Sequence, residues 1–127
     1  MILLDTHAFY WFICDDEKMP QQVKELIETD QNVFVSIVTF WEMAIKSSLG
    51  KLELPAPITE LMNDCAEFNF NILPIAGAHL ERLQKLPWIH RDPFDRLLIC
   101  QAQHEDLIFI TVDSNIEKYD VKRFWGG

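Results

Sequence analysis

Short apolar runs alternate with stretches of helical periodicity along almost the whole length of this chain. The strand-like runs cover positions 2–4, 33–35, 70–75 and 107–112, and a short edge strand is predicted at 121–125. The helical patterns cover positions 6–14, 20–29, 37–49, 58–68, 78–86 and 93–104. Strands that alternate with helices form right-handed βαβ units. The sequence therefore predicts an α/β fold with a mostly parallel central sheet and helices on both faces.

The composition predicts one globular domain that covers residues 1–127. Hydrophobic residues make up 49% of the chain, charged residues make up 24%, and the formal net charge is −9. Proteins that coat nucleic acid or anionic membranes carry clustered Lys and Arg instead. A uniformly basic binding surface is therefore disfavoured, whereas a local acidic site that holds cations is compatible with this charge.

The cysteines and the apolar segments favour a cytoplasmic protein that makes no membrane contact. Cys14, Cys65 and Cys100 are widely spaced and form no C-x-x-C pattern, which is typical of reduced thiols. The sequence begins MILLD, without the basic region of a signal peptide. The longest stretch without a charged side chain has 13 residues, at positions 68–80, whereas a membrane-spanning helix needs about 20.

Acidic residues follow two of the predicted strands and lie in two of the predicted helices. Asp5 closes the first strand and Asp113 closes the fourth, so both fall at the same edge of a parallel sheet. Glu42 lies in the apolar helical stretch TFWEMAI, and Asp92 and Asp95 open a helix in HRDPFDRLL. Carboxylates gathered in one place need a compensating cation, and oxygen ligands suit Mg²⁺ or Mn²⁺ rather than zinc. Such ions promote phosphoryl transfer to water.

Each of these acids also has a structural role open to it. Asp5 and Asp92 are candidate helix N-caps, and the Asp-Pro pair makes the cap the better interpretation for Asp92. Asp95 falls at the third helical position, where the helix dipole favours a carboxylate. Asp113 precedes Ser-Asn, a sequence compatible with an Asx turn, and Glu42 precedes a lysine by four residues, the spacing of a surface ion pair. As a set, however, the acids favour a shared site.

Four segments, in this order, resemble the PIN domain and in particular the VapC-like toxins of bacterial toxin–antitoxin pairs. They are DTHAFYWF, SIVTFWEMAIKSSLGKL, HRDPFDRLLICQAQ and IFITVDSNIEKYDV, and the resemblance covers essentially the whole chain. It implies a three-layer PIN-like fold in which the Asp5 and Asp113 strands are neighbours. It also implies a ribonuclease in which four acids chelate one or two Mg²⁺ or Mn²⁺ ions.

The resemblance assigns the site residue by residue. The four acids match Asp5, Glu42, Asp95 and Asp113, and the polar positions around them match Thr6, Ser36, Thr111 and Asn115. Lys46, Arg91 and Arg96 lie near these acids in sequence and are candidates for contacting an RNA phosphate, with ordinary surface charge as the alternative. Trp88 and Phe94 are able to stack a base, although core packing is the better interpretation for both.

The first predicted helix has no polar face between positions 8 and 13. A surface helix normally shows one apolar stripe, and exposed excess apolar side chains mark an interface. The alternative is that the helix at 20–29 covers this surface within the chain. The resemblance implies a homodimer and an antitoxin protein that wraps the surface near the active-site groove.

The resemblance and the acids together predict a Mg²⁺- or Mn²⁺-dependent endoribonuclease, the toxin of a toxin–antitoxin pair, in which water attacks the phosphodiester. The alternative is a catalytically silent PIN scaffold that only binds a partner, and the intact set of acids argues against it. A phosphotransfer receiver domain is a further alternative from the same fold class. Phosphate-binding loops are not predicted, because the four glycines form neither G-x-G-x-x-G nor a Walker motif.

Overall fold

A computed structural model describes residues 1–126 of the chain, so the last position of the predicted 1–127 domain lies outside the described residues. One sheet contains five strands, all paired in parallel, in the order β3-β2-β1-β4-β5. The strands are β1 (Ile2–Leu4), β2 (Val33–Ser36), β3 (Phe70–Leu73), β4 (Ile108–Ile110) and β5 (Arg123–Phe124). The helices are α1 (Thr6–Ile13), α2 (Gln21–Thr29), α3 (Ile37–Ser48), α4 (Ile58–Glu67), α5 (Gly77–Lys85) and α6 (Pro93–His104).

The predicted alternation of strands and helices is confirmed, and the differences are at the element ends. The strand predicted at 70–75 ends at Leu73, because Pro74 has no N–H to donate to the ladder. The strand predicted at 107–112 covers only Ile108–Ile110. A 3₁₀ helix at Ser114–Lys118 was not predicted. Within residues 1–126, no helix is both long enough and apolar enough to cross a bilayer.

Successive side chains of the central strands enter two separate hydrophobic cores. Ile2 and Leu4 of β1 join the core packed against α1, α2 and α4, whereas Leu3 joins the core packed against α5 and α6. On β4, Phe109 and Ile110 divide between the cores in the same way. Strands that are covered on both faces read as continuous apolar runs, and the fold is therefore the predicted three-layer sandwich.

The order of the strands places a topological switch point beside β1. β1 pairs with β2 on one side and with β4 on the other, so the chain builds the sheet outward in both directions from β1. Ligands in open α/β sheets bind outside the carboxyl ends of the strands at such a point. Asp5 follows β1 directly and Asp113 lies three residues after β4, so both lie at this position.

Helix α3 is defined by a cap at each end. Ser36 Oγ accepts a hydrogen bond from the backbone N–H of Val38 at 3.0 Å. At the other end Gly50 adopts a positive φ of 72°, and its N–H donates to the Ser47 carbonyl at 3.0 Å. A left-handed residue that ends a helix in this way is usually glycine. The helix starts directly from β2 and therefore carries Glu42 along the edge where the strands end.

Contacts within the chain cover most of the apolar surface of α1. The Tyr10 hydroxyl donates to a backbone carbonyl between α3 and α4 at 2.6 Å. The Trp11 ring lies 5.8 Å from the Trp125 ring, and the Phe12 ring lies 5.5 Å from the Phe70 ring. The C-terminal segment and the start of β3 thus contribute to this cover alongside α2. These contacts account for the side chains that the sequence assigned to an interface.

Candidate metal centre

Asp5 combines the structural and the functional positions that the sequence left open. Its Oδ1 accepts the backbone N–H of Ala8 at 2.7 Å, which makes Asp5 the N-cap of α1. The side chain is buried, and this burial raises its pKa. The nearby Glu42 charge raises the pKa further, while hydrogen bonds from Thr111 and Ala8 and the charge of His7 oppose the shift. The cap therefore holds a buried carboxylate at the end of the central strand.

Glu42 is buried, and its two carboxylate oxygens have different partners. Oε1 accepts a hydrogen bond from the Thr6 hydroxyl at 2.6 Å, and Oε2 pairs with the Lys46 ammonium group. Thr6 Oγ1 also lies 3.3 Å from Thr39 Oγ1. The predicted pair between Glu42 and Lys46 forms, but its glutamate is only 2% exposed, so it is not a surface pair. Burial lowers the pKa of Lys46, yet the hydrogen bond and the charge of Glu42 raise it by more.

The two aspartates at the start of α6 have separate roles. Asp92 Oδ1 accepts the N–H groups of Phe94 at 2.8 Å and Asp95 at 2.9 Å, which is the predicted N-cap. Burial, followed by the charges of Asp92, Asp5 and Glu42, raises the pKa of Asp95 to about 7, while His90 opposes the shift. Asp95 is therefore within electrostatic reach of two of the other predicted metal ligands.

His90 connects Asp113 to Asp95, and the sequence reasoning did not single it out. Its Nε2 lies 3.1 Å from Asp113 Oδ2 and 3.6 Å from Asp95 Oδ2. Its Nδ1 accepts the Asp92 N–H at 3.2 Å, which leaves the proton on Nε2 in the neutral ring. These three side chains form a group with the spacing of metal ligands. The available signal was the position of His90 directly before the aspartate-rich helix start, in HRDPFD.

Asp113 is the least buried of the four acids. Its Oδ1 accepts the backbone N–H of Asn115 at 2.9 Å, the Asx-type contact that the sequence allowed. Burial raises the pKa of Asp113, but hydrogen bonds from Asn115 and His90 outweigh this effect and lower the pKa overall. Asp113 is therefore ionised more readily than an ordinary aspartate.

The predicted polar neighbours divide into two groups. Thr111 is buried, its hydroxyl lowers the pKa of the Asp5 carboxyl, and its Oγ1 accepts the Asp113 N–H at 3.2 Å. It thus joins the two strand-end aspartates, as Thr6 joins α1 to α3. Ser36 is instead occupied by the cap of α3. Asn115 contacts Asp113 and is exposed.

The expectation that Arg96 contacts an RNA phosphate is wrong. Arg96 is only 3% exposed. Its guanidinium donates to the carbonyl oxygens of Leu86 at 3.1 Å, Pro87 at 2.8 Å and His90 at 3.3 Å. The residue faces inward because the carbonyl oxygens of the loop before α6 accept its hydrogen bonds. Arg91 is exposed, and the Lys46 ammonium group, although paired with the Glu42 carboxylate, is partly exposed.

The two aromatic candidates differ from each other. Core packing is the wrong interpretation for Trp88, because this side chain is 81% exposed. Phe94 is half-buried and meets the ring of Trp41 edge to face, with 4.8 Å between the centroids. An exposed tryptophan in the loop before α6 is therefore a feature that the apolar pattern did not predict.

The donor set fits a hard divalent cation. Asp5 and Asp113 lie at one edge of the sheet, the charges of Asp5 and Glu42 act on Asp95, and Glu42 is paired with the partly buried ammonium group of Lys46. The raised pKa values of Asp5 and Asp95 come from burial and from neighbouring carboxylates, so a bound cation would stabilise the charged forms of these side chains. Carboxylate oxygens are the preferred ligands of Mg²⁺ and Mn²⁺, and His90 adds a nitrogen at metal-ligand spacing from Asp95 and Asp113.

Comparisons with known proteins agree with this geometry. The profile of the PIN domain matches residues 2–122. Ribonuclease VapC22 of Mycobacterium tuberculosis is 22% identical over 120 residues, which are 93% of this chain and 91% of the relative.

Two solved structures show the same fold. VapBC2 from Rickettsia felis bound to a DNA fragment from its promoter has a TM-score of 0.70 at 13% identity and covers 98% of each chain. FitAcB from Neisseria gonorrhoeae has a TM-score of 0.67 at 19% identity and covers 98% of this chain and 96% of that one. The family profile covers strands β1 to β4, and it therefore includes the strands that end before Asp5 and Asp113. The chain belongs to the PIN domain family.

Proposed function

We propose that this protein is a Mg²⁺- or Mn²⁺-dependent endoribonuclease and the toxin of a toxin–antitoxin pair. The observations that carry this proposal are the group of His90, Asp95 and Asp113 with the spacing of metal ligands and the charges of Asp5 and Glu42 that act on Asp95, at the switch point of the sheet. The relative in Mycobacterium tuberculosis is named a ribonuclease, and a solved structure of similar fold is a toxin–antitoxin complex from Klebsiella pneumoniae. These findings support the activity and the partner class together.

The four acids would hold one or two ions. A divalent cation held there would neutralise charge on the phosphate and lower the pKa of a water molecule. We assign the nucleophile to water, because the carboxylates are placed to hold a cation that would activate water, while the Thr6 hydroxyl is committed to Glu42.

The other residues of the site orient the ligands. Thr6 fixes one oxygen of Glu42, at 2.6 Å. Thr111 holds Asp5 and Asp113 in register across two paired strands. Lys46 and Arg91 supply positive charge for the RNA backbone in a chain whose net charge is −9.

An exposed apolar stripe on α3 supports a protein partner. Trp41, Ile45 and the C-cap residue Leu49 are spaced by four residues, so they lie along one face of α3 and its end, and they are 49%, 41% and 62% exposed. A contiguous exposed apolar patch marks an interaction surface. We assign this stripe to the antitoxin or to a second copy of the chain, next to the element that carries Glu42. Residues 1–127 then act as one domain in the cytoplasm.

Two substitutions at the ligands test the activity. Asp5→Asn keeps the cap on α1, because asparagine caps a helix about as well as aspartate, and Glu42→Gln keeps the hydrogen bond from Thr6. Both variants should lose Mn²⁺-dependent RNA cleavage and Mn²⁺ binding by calorimetry. Glu60→Gln, which removes an exposed charge on α4, is the matched control and should cleave normally.

The same experiment separates the alternatives. A catalytically silent scaffold binds no Mn²⁺, and a receiver domain becomes labelled by a small phosphodonor without any RNA. Full cleavage by purified Asp5→Asn and Glu42→Gln proteins would overturn the assignment of the acids.

A further inference from the structure

Trp88 presents one open face of its indole ring to solvent. The side chain is 81% exposed and lies in the loop between α5 and α6. The other face packs on the guanidinium of Arg96, whose Cζ is 3.8 Å from the ring centroid. A large apolar ring that is supported on one face and open on the other has the form of a stacking platform.

The Trp88 ring is supported by the buried side chain of Arg96. Arg96 donates hydrogen bonds to three carbonyl oxygens of the same loop, those of Leu86, Pro87 and His90. Its charge and its position are therefore fixed before any ligand arrives. A side chain that is already ordered loses less conformational freedom on binding, so the exposed ring is prepared for a partner.

The platform adjoins the acid cluster through two covalent connections. His90, which contacts Asp113 at 3.1 Å, follows Trp88 by two residues, so their Cα atoms lie within about 7 Å. Arg96 directly follows Asp95 on α6. The platform and the acid cluster therefore meet at His90, whose carbonyl accepts a hydrogen bond from Arg96 at 3.3 Å and whose ring contacts Asp113.

A surface cavity of about 380 Å³ lies beside the ring, and its lining suits a nucleotide. Apolar side chains from α5 and α6, Leu80, Leu83 and Pro93, form one part of it, while Gln84 and Arg91 add a hydrogen-bonding group and a positive charge. A nucleobase has a flat apolar face and a polar edge, and it is linked to an anionic phosphate. The lining offers a contact for each of these parts.

We propose that Trp88 and this cavity form a subsite for one unstacked nucleobase of a single-stranded RNA substrate, next to the acid cluster, with Arg91 contacting the adjoining phosphate. The proposal rests on the proposed ribonuclease function. It favours RNA over an apolar protein segment because the ring is backed by one arginine and flanked by another in an acidic chain. Bases in a duplex are stacked on one another and are not available to an aromatic side chain.

The test compares Trp88→Ala, Trp88→Phe and Ile89→Ala, the last being a control in the same loop at a side chain that is 45% exposed. The substrate is a pool of random-sequence oligoribonucleotides, single-stranded or annealed to their complements, with Mn²⁺. Trp88→Ala should lower kcat/KM on single strands by roughly 5- to 150-fold, the effect of losing one aromatic–base stack, mainly through KM. Trp88→Phe should retain most of the activity, and Ile89→Ala should match the wild type.

A second measurement keeps the subsite separate from the activity. Binding of the same single strands without added metal should quench the tryptophan fluorescence of the wild type, and this quenching should be lost in Trp88→Phe. Quenching without cleavage would overturn the proposed function and support the subsite. Cleavage by Trp88→Ala at the wild-type rate would overturn the subsite. If the same variant also bound the antitoxin more weakly, the ring would instead serve a protein partner.

Discussion

Asp92 Oδ1 accepts the backbone N–H of Asp95 at 2.9 Å, so the two aspartates that open α6 are related as a helix cap and a capped residue. The same oxygen accepts the N–H of Phe94 at 2.8 Å. The Asp95 side chain, one turn into the helix, is half-buried and is influenced by the charge of Asp92 and also by the charges of Asp5, Glu42 and His90. One helix start thus supplies both its own cap and a carboxylate for the cluster.

Asparagine distinguishes these two roles, because it caps a helix about as well as aspartate but is a poor ligand for a hard cation. Asp92→Asn should keep its stability and most of its activity. Asp95→Asn should keep the fold and lose Mn²⁺ binding and cleavage by at least about 100-fold, the upper end of what an outer-shell partner costs. Calorimetric Mn²⁺ titration and an RNA cleavage assay on both proteins check this. An inactive Asp92→Asn beside an active Asp95→Asn would exchange the two roles.

The hydroxyl of Thr6 should be required for both stability and metal affinity. Thr6→Val removes the donor that lies 2.6 Å from Glu42 Oε1 and leaves a buried carboxylate oxygen without that partner. Such a loss costs about 1–3 kcal/mol, and Mn²⁺ affinity should fall about 10- to 100-fold because Glu42 is no longer oriented. Urea unfolding and calorimetry measure the two effects. Thr6→Ser retains the hydroxyl and should restore both, and a Thr6→Val protein with wild-type Mn²⁺ affinity would show that Glu42 needs no such support.

The strands, the α-helices and the shared edge of Asp5 and Asp113 were predictable because each follows from a local pattern, whereas Glu42 and Asp95 were assigned to the site by the family resemblance. Apolar runs that end in aspartate specify buried parallel strands, and parallel strands bring their ends to one edge. The Asp-Pro pair at the start of α6 specified its cap for the same local reason. Tertiary contacts were not needed for these predictions.

The orientation of side chains in loops was not predictable, because it depends on long-range partners. The sequence predicts a surface cation at Arg96, yet its guanidinium donates hydrogen bonds to three loop carbonyls up to ten residues away. The sequence predicts a core residue at Trp88, yet its ring packs on the outer side of the Arg96 guanidinium. His90 reaches Asp113 across 23 positions. Each contact requires the loop between α5 and α6 to be folded, and its sequence carries no periodic signal.

Removing metal should make stability depend on pH through Asp95, whose pKa is raised to about 7 by burial and by neighbouring carboxylates. In the unfolded chain an aspartate titrates near 3.9. The stabilising contribution of the proton on Asp95 is therefore fully present below pH of about 4 and is lost as the pH rises to about 7, because only the folded state binds that proton in this window. Thermal melts of metal-free protein should show the melting temperature falling over this range.

Two controls isolate that effect. Asp95→Asn removes the titrating group, so its melting temperature should fall less between pH 4 and 7, with Asp5 contributing in the same direction because its pKa is also raised. Mn²⁺ at about one hundred times its Kd should add about 2.7 kcal/mol at neutral pH, with monovalent salt matched to remove general screening. An identical pH profile for wild type and Asp95→Asn would contradict the raised pKa.

A charged substitution on α1 should lower stability, whereas one on α3 should weaken association. The Trp11 ring packs 5.8 Å from Trp125 and 5.5 Å from His7, so Trp11→Glu should lower the free energy of unfolding by about 1–3 kcal/mol. Ile45 is 41% exposed on the outer face of α3, so Ile45→Glu should change stability by no more than about 0.5 kcal/mol. It should instead weaken self-association or antitoxin binding, because it places a charge in an apolar contact. Urea unfolding together with light scattering separates the two. A stable Trp11→Glu protein that fails to associate, beside a normally associating Ile45→Glu protein, would move the interface from α3 to α1.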